Sequence, residues 1–106
     1  MKEVPNLKYL DELAGNDEIF RKKFIGILKE EFPREVHQYV GNIKASCFKE
    51  ASLDVHKIKH KINVLGLNGT HQLAVVHEAE LRKGENFHHD EFMMALKGIE
   101  SYLKTI

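Results

Sequence analysis

The residues best suited to chemistry lie in one short run, His56-Lys57-Ile58-Lys59-His60-Lys61, where five of six side chains are basic or titratable. An exposed imidazole, with an ordinary pKa of about 6.5, is substantially neutral at pH 7 and offers a nucleophilic nitrogen. Neighbouring cations favour an anion brought to that nitrogen or placed upon it, which suits capture of a phosphoryl group. The run sits inside the cleanest apolar repeat of the chain, where Phe48, Ala51, Val55, Ile58, Ile62 and Leu65 recur at steps of three and four. Such steps mark one face of a helix. At about 100° per residue His56 is turned roughly 130° from that face, so it is expected to meet solvent. Lys59 and His60 follow at i+3 and i+4, and Asn63 lies one turn further along the same side. These four form one exposed polar patch, whereas Lys57 and Lys61 fall on the other flank of the stripe.

Several elements must position this helix. Asn6 as an N-cap, Leu7, Leu10 and Leu13 as apolar positions and Gly15 as a stop predict a short lead-in helix. Asn16 then precedes Asp17 and Glu18, and Phe20, Phe24, Ile27, Leu28 and Phe32 predict a strongly amphipathic helix. Pro33 interrupts it, yet Val36, Tyr39, Val40 and Ile43 keep the period, so one kinked helix or two abutting ones are expected. Ser46 is the expected cap of the helix that carries His56. Gly66-Leu67-Asn68-Gly69-Thr70 ends that helix. A weaker one is expected from about His71 to Lys83, with Leu73, Val76 and Ala79 inward, Glu78, Glu80 and Glu85 on a solvated face, and Gly84 closing it. Phe92, Leu96, Ile99 and Leu103 predict a last helix near residues 89–104. With no convincing strand alternation, the fold class is all-α, an antiparallel four-helix bundle with a short N-terminal lead-in helix, in one domain over residues 1–106.

The composition narrows the choices. The 106 residues carry sixteen Lys and Arg against sixteen Asp and Glu, a formal charge of +0. That offers no global field for gripping nucleic acid or an anionic membrane. The single Cys47 excludes an internal disulfide and reads as incidental. No apolar run approaches the roughly 18 residues that span a bilayer, and the opening residues lack a signal-peptide apolar region, so a cytoplasmic setting is expected. Phe20, Phe24, Phe32 and Phe92 read as core, and Met93-Met94 as packing. No apolar stripe is left over for an interface, so a monomer is expected.

The stretch His56-Lys57-Ile58-Lys59-His60-Lys61-Ile62-Asn63-Val64-Leu65-Gly66 resembles the signature of histidine-containing phosphotransfer (HPt) domains: His, any residue, an aliphatic, Lys, usually Gly, then a Gly ten residues after the His. Ile58, Lys59 and Gly66 match it. Residues 7–15, followed by Phe20, Phe24 and Phe32-Pro33, are similar to the family's lead-in and first bundle helix, so the resemblance covers most of the chain. It implies His56 as phosphoacceptor and Lys59 as the side chain that holds or neutralises the phosphoryl group. It also implies transfer from an aspartyl phosphate on one response-regulator receiver domain to another, with a hybrid sensor histidine kinase as a further partner. His60 stands where the family commonly has a small residue, which re-specifies a docking surface to which His60 and Asn63 would belong. The connection over residues 67–72 reads as longer than the family's common one. No cofactor is implied for this chain, because the Mg²⁺ and acidic pocket that handle the aspartyl phosphate belong to the receiver. No glycine-rich nucleotide loop or paired acids point to ATP hydrolysis or independent turnover.

Two other classes compete. A helical adaptor would dock a signalling partner without phosphotransfer, His60 blocking access to His56. A metal-binding bundle would use His56 and His60 at i and i+4, completed by His77 or Glu78 from a neighbouring helix. His88-His89-Asp90 offers a second set of ligand types, for which a polar loop ahead of a helix is the simpler reading.

Overall fold

The computed structural model describes residues 3–106. Among them the chain forms five helices and no strand: α1 (Lys8–Ala14), α2 (Glu18–Lys44), α3 (Phe48–Val64), α4 (Asn68–Arg82) and α5 (His89–Leu103). α3 packs against α2 and α4, α5 packs against the same two helices, and α1 lies on α2. None of the helices is long and apolar enough to cross a membrane. One shared core holds Leu28, Phe32, Val36 and Tyr39 from α2, Val55, Ile58 and Ile62 from α3, Ala74 and Leu81 from α4, and Phe92, Leu96 and Ile99 from α5. Burial of these side chains stabilises the fold by about 1.5–3 kcal/mol for each large one.

The α3 and α5 stripes are buried as their spacing predicts. Others differ in instructive ways. α2 runs as one helix through Pro33, whose ring lies on the exposed side, where water can serve the carbonyl that the missing N–H leaves free. Its cap is Asp17 rather than Asn16, the carboxylate accepting from Phe20 N–H at 2.9 Å. Phe20 and Ile27 remain exposed, with Tyr9, Leu13 and Ile19 nearby in sequence, so the chain does leave apolar surface uncovered.

Ser46 does not cap α3. It takes φ +58 and closes α2, with Ser46 N–H donating to Ile43 O and Cys47 N–H to Asn42 O, the paired bonds of a Schellman turn. Gly66 closes α3 in the same way at φ +73, and Gly84 closes α4 at φ +82.

α4 starts at Asn68, three residues ahead of the expected start, so the long connection after Gly66 does not exist. Its own N-cap residue, Leu67, has no side chain to offer the free N–H groups. Glu3 supplies that function from the other end of the chain: its carboxylate accepts from Gly69 N–H at 2.6 Å, Thr70 N–H at 2.9 Å and Thr70 Oγ1–H at 3.1 Å. The Gly69 bond is the main cause that holds the Glu3 carboxyl below its ordinary value. The α4 face is also shifted by one position. Ala74, His77, Glu78 and Leu81 point inward, whereas Val76 and Ala79 are exposed and Leu73 is half-buried. Apolar periodicity picks the wrong phase here because two of the four inward residues are polar and bury themselves through specific partners.

Candidate functional site

Phe48, Ala51, Val55, Ile58 and Ile62 turn one side of α3 into the core, which leaves His56 on the rim facing α4. Its side chain is 50% exposed. From α4, Glu78 reaches across with a carboxylate only 4% exposed, placing Oε2 at 3.2 Å from His56 Nδ1. An ionised carboxylate only accepts hydrogen bonds, so the ring hydrogen is on Nδ1 and donates to Glu78. Nε2 is left with its lone pair.

The same carboxylate gathers two cations. Lys59 Nζ donates to Glu78 Oε1 at 3.0 Å, and Arg82, one turn along α4, donates to Oε2. Burial works against charge on Glu78, but the Lys59 bond and charge, Arg82 and the His56 ring outweigh it and hold the carboxyl below its ordinary value. With Glu78 ionised, its carboxylate and the two cations together leave one net positive charge beside the His56 ring.

Four sequence-derived candidates therefore separate. His56 is exposed, as its angle on the helix predicts. Lys59 belongs to the cluster but not to the open patch: its side chain is only 18% exposed and committed to Glu78. His60 is exposed, and its ring stands edge-on to that of His56 with centroids 5.0 Å apart. Asn63 is exposed one turn further on, its carbonyl accepting from Gly66 N–H in the turn that closes α3. Lys61, assigned to the other flank, pairs there with Glu31 and Glu35 of α2.

Arg82 is not among the candidates from sequence, and Glu78 enters there only as an alternative metal ligand, not as a partner of His56 and Lys59 in an ion cluster. Glu78 read as a solvated residue, and the structure overturns that because it lies at 3% exposure between α3 and α4. The signal that could have found it is the alternative phase Ala74, His77, Glu78, Leu81, in which a carboxylate at a core-facing position demands cationic partners. Of the proposed metal ligands, His77 bonds Tyr39 rather than standing with His56 and His60, and Glu78 is occupied by three donors. Among the described residues no three His, Cys, Asp or Glu side chains are grouped to hold a metal ion. His88 and His89 part company, the first bonding Glu80 and the second Tyr39.

No protein-family model, curated protein or solved structure matches this chain. The functional reading rests on the residues and their geometry.

Proposed function

We propose that this protein is a phosphorelay intermediate that carries a phosphoryl group on His56. The observation that carries the reading is the half-exposed His56 ring, held at Nδ1 by a buried carboxylate and bare at Nε2. In the transfer, the Nε2 lone pair attacks the phosphorus of an aspartyl phosphate. The N–P bond forms, the P–O bond to the aspartate breaks, and the carboxylate leaves without needing a proton. The ring keeps its hydrogen on Nδ1 and gains positive charge as the N–P bond forms, and Glu78 is placed to offset that charge. Lys59 and Arg82 supply the cations for a dianionic phosphoryl group, shifting from Glu78 toward it as it arrives.

The fold that goes with this reading is an antiparallel four-helix bundle of α2 to α5, with α1 as lead-in, acting as a rigid mount for the nucleophile. The partners are response-regulator receiver domains and a hybrid sensor histidine kinase, in the cytoplasm, with the Mg²⁺ supplied on the receiver side. His60 and Asn63 lie where a receiver would dock. The chain itself turns nothing over. One observation favours the adaptor reading instead: the His60 ring packed edge-on against His56 narrows the approach to it.

Intact-mass measurement after incubation with phosphoramidate, with acid lability of the adduct, tests the proposal. One acid-labile phosphate, absent in His56→Gln, is the expected result. No adduct, either with phosphoramidate or with a phosphorylated receiver domain, would overturn it, and transfer gained in His60→Gly alone would establish the adaptor reading.

A further inference from the structure

His77, the residue before Glu78 on α4, belongs to a second polar cluster, built from three helices. The Tyr39 hydroxyl of α2 is 2.7 Å from His77 Nε2 of α4 and 2.7 Å from His89 Nδ1 at the start of α5. Tyr39 and His77 are fully buried, and Phe92 packs against both rings at 5.4 and 5.1 Å. His77 Nδ1 is buried with no hydrogen-bond partner.

We propose that Tyr39, His77 and His89 form an acid-sensitive latch, which fastens the start of α5 to α2 and α4 and is released when the cluster takes up one further proton. The count of hydrogens carries the inference. With both rings neutral, His77 Nε2–H donates to Tyr39 Oη and the Tyr39 O–H donates to His89 Nδ1, so each short contact holds one hydrogen. The reverse order would put an N–H on buried His77 Nδ1, which faces no acceptor. A proton added to His89 Nδ1 turns that acceptor into a donor. Three hydrogens then compete for two contacts, and either the Tyr39 O–H or an N–H of His77 is left buried without an acceptor. A proton added to His77 itself places a charge in the core with no carboxylate bonded to it.

The surrounding charges point the same way. On His77, burial acts first, then the repulsion a second positive charge would meet from His89 and His88, and together they push it down to about 4 despite Glu80. Glu80 of α4 is engaged at 2.6 Å by His88, the N-cap residue of α5, and its carboxylate holds that ring's pKa above the ordinary value. Tyr39 is pushed above its ordinary value by burial and by Asp90 of α5, which keeps its hydroxyl hydrogen in place. On α3, the buried Asp54 is turned to Asn42 of α2 and does not join the cluster. The latch stands whether or not His56 accepts phosphate.

Amide hydrogen exchange followed by NMR on the full chain, expressed as protection factors at about pH 7.5 and about pH 5, tests it. Protection over the first two turns of α5 is expected to fall about tenfold or more at the lower pH relative to α3, as a locally opening element does. His89→Asn keeps an acceptor at the Nδ1 position and cannot be protonated, so its α5 protection is expected to hold. Equal protection at both pH values in the wild type, or an equal loss in His89→Asn, would overturn the proposal. Should that variant fail to fold, the ring nitrogen shifts of the wild type decide: His77 hydrogen on Nε2 at the higher pH and displaced at the lower one supports the latch, and an unchanged tautomer rejects it.

Discussion

His56 Nδ1 sits 3.2 Å from Glu78 Oε2, a half-exposed ring tied to a carboxylate that is itself almost wholly buried. The pair fixes which nitrogen of His56 is free, and the same carboxylate holds the two cations that the proposed phosphoryl transfer would draw on. Glu78→Ala removes both functions. Its expected effect is a fall of about tenfold or more in the rate of phosphohistidine formation, in the range seen when a positioned charge is lost. It also leaves Lys59 without its partner at a largely buried position, destabilising the fold by about 1–3 kcal/mol. Glu78→Gln keeps an acceptor for Nδ1–H without the charge, so its rate should lie between. Intact-mass time courses with phosphoramidate and urea melts of each variant check both parts. A wild-type rate in Glu78→Ala would leave Glu78 with a purely structural role.

Ser46 holds the left-handed conformation that closes α2 at φ +58, a region that disfavours any side chain bearing a Cβ. The two turn bonds are donated by its own backbone N–H and by that of Cys47, with no part taken by its side chain. Ser46→Gly is therefore expected to stabilise the protein by about 0.5–1 kcal/mol, read as a raised urea midpoint with an unchanged slope. A lowered midpoint would mean that the flexibility glycine adds to the unfolded chain outweighs the relief of strain.

This residue also shows where reading the sequence succeeds and where it stops. The stripes of α3 and α5 were legible because an unbroken apolar series marks the core face of each, so period and phase agree even though α3 also buries Ser52 and Asp54 beside its stripe. On α4 the period was visible but not the phase, since His77 and Glu78 occupy core-facing positions and satisfy themselves through Tyr39, His56, Lys59 and Arg82. The start of α4 was misplaced for a related reason: its cap is Glu3, and nothing local to Gly69 announces a partner 66 residues away. Ser46 misled because serine is a good N-cap by type, while the turn before α3 needed a residue at positive φ. His56 and Lys59 were legible from helical spacing alone, whereas Glu78 and Arg82 required knowing which face α4 turns to α3.

Gly66 is held by two separate constraints. Its φ of +73 favours glycine, and a Cβ built on it would meet Asn6 Nδ2 at 2.6 Å and Asn6 Cγ at 3.1 Å. Asn6 is fastened at this place, its N–H donating to Leu65 O at 2.9 Å and its side-chain oxygen accepting from Lys8 N–H at 3.1 Å. Gly66→Ala is expected to lose about 1–2 kcal/mol from the backbone alone, with a further loss from displacing Asn6. Asn6→Ala placed in the same chain should recover the second part only. A double-mutant cycle by urea denaturation measures it, and strict additivity would show that the two residues do not meet.

His77 predicts how stability depends on pH. Its folded-state pKa is displaced downward, from 6.5 to about 4, by burial and by the neighbouring His89 and His88. Between those values the unfolded chain binds the proton and the folded chain does not, so stability is full above about 6.5 and falls as the pH drops toward 4. Between about pH 7 and about pH 5 the loss is on the order of 2 kcal/mol. His88 acts in the opposite sense: Glu80 raises it, so its contribution is present below its unfolded value and fades as the pH rises through its folded one. The carboxylates of Glu78 and Glu3, held below 4.5, lose their contribution only at lower pH again. Urea denaturation between about pH 7 and pH 5 isolates the histidine range. The wild type should weaken across it, His88→Ala should weaken more steeply, and His77→Gln should start less stable but change least. A His77→Gln slope as steep as that of the wild type would move the origin of the pH dependence elsewhere in the chain.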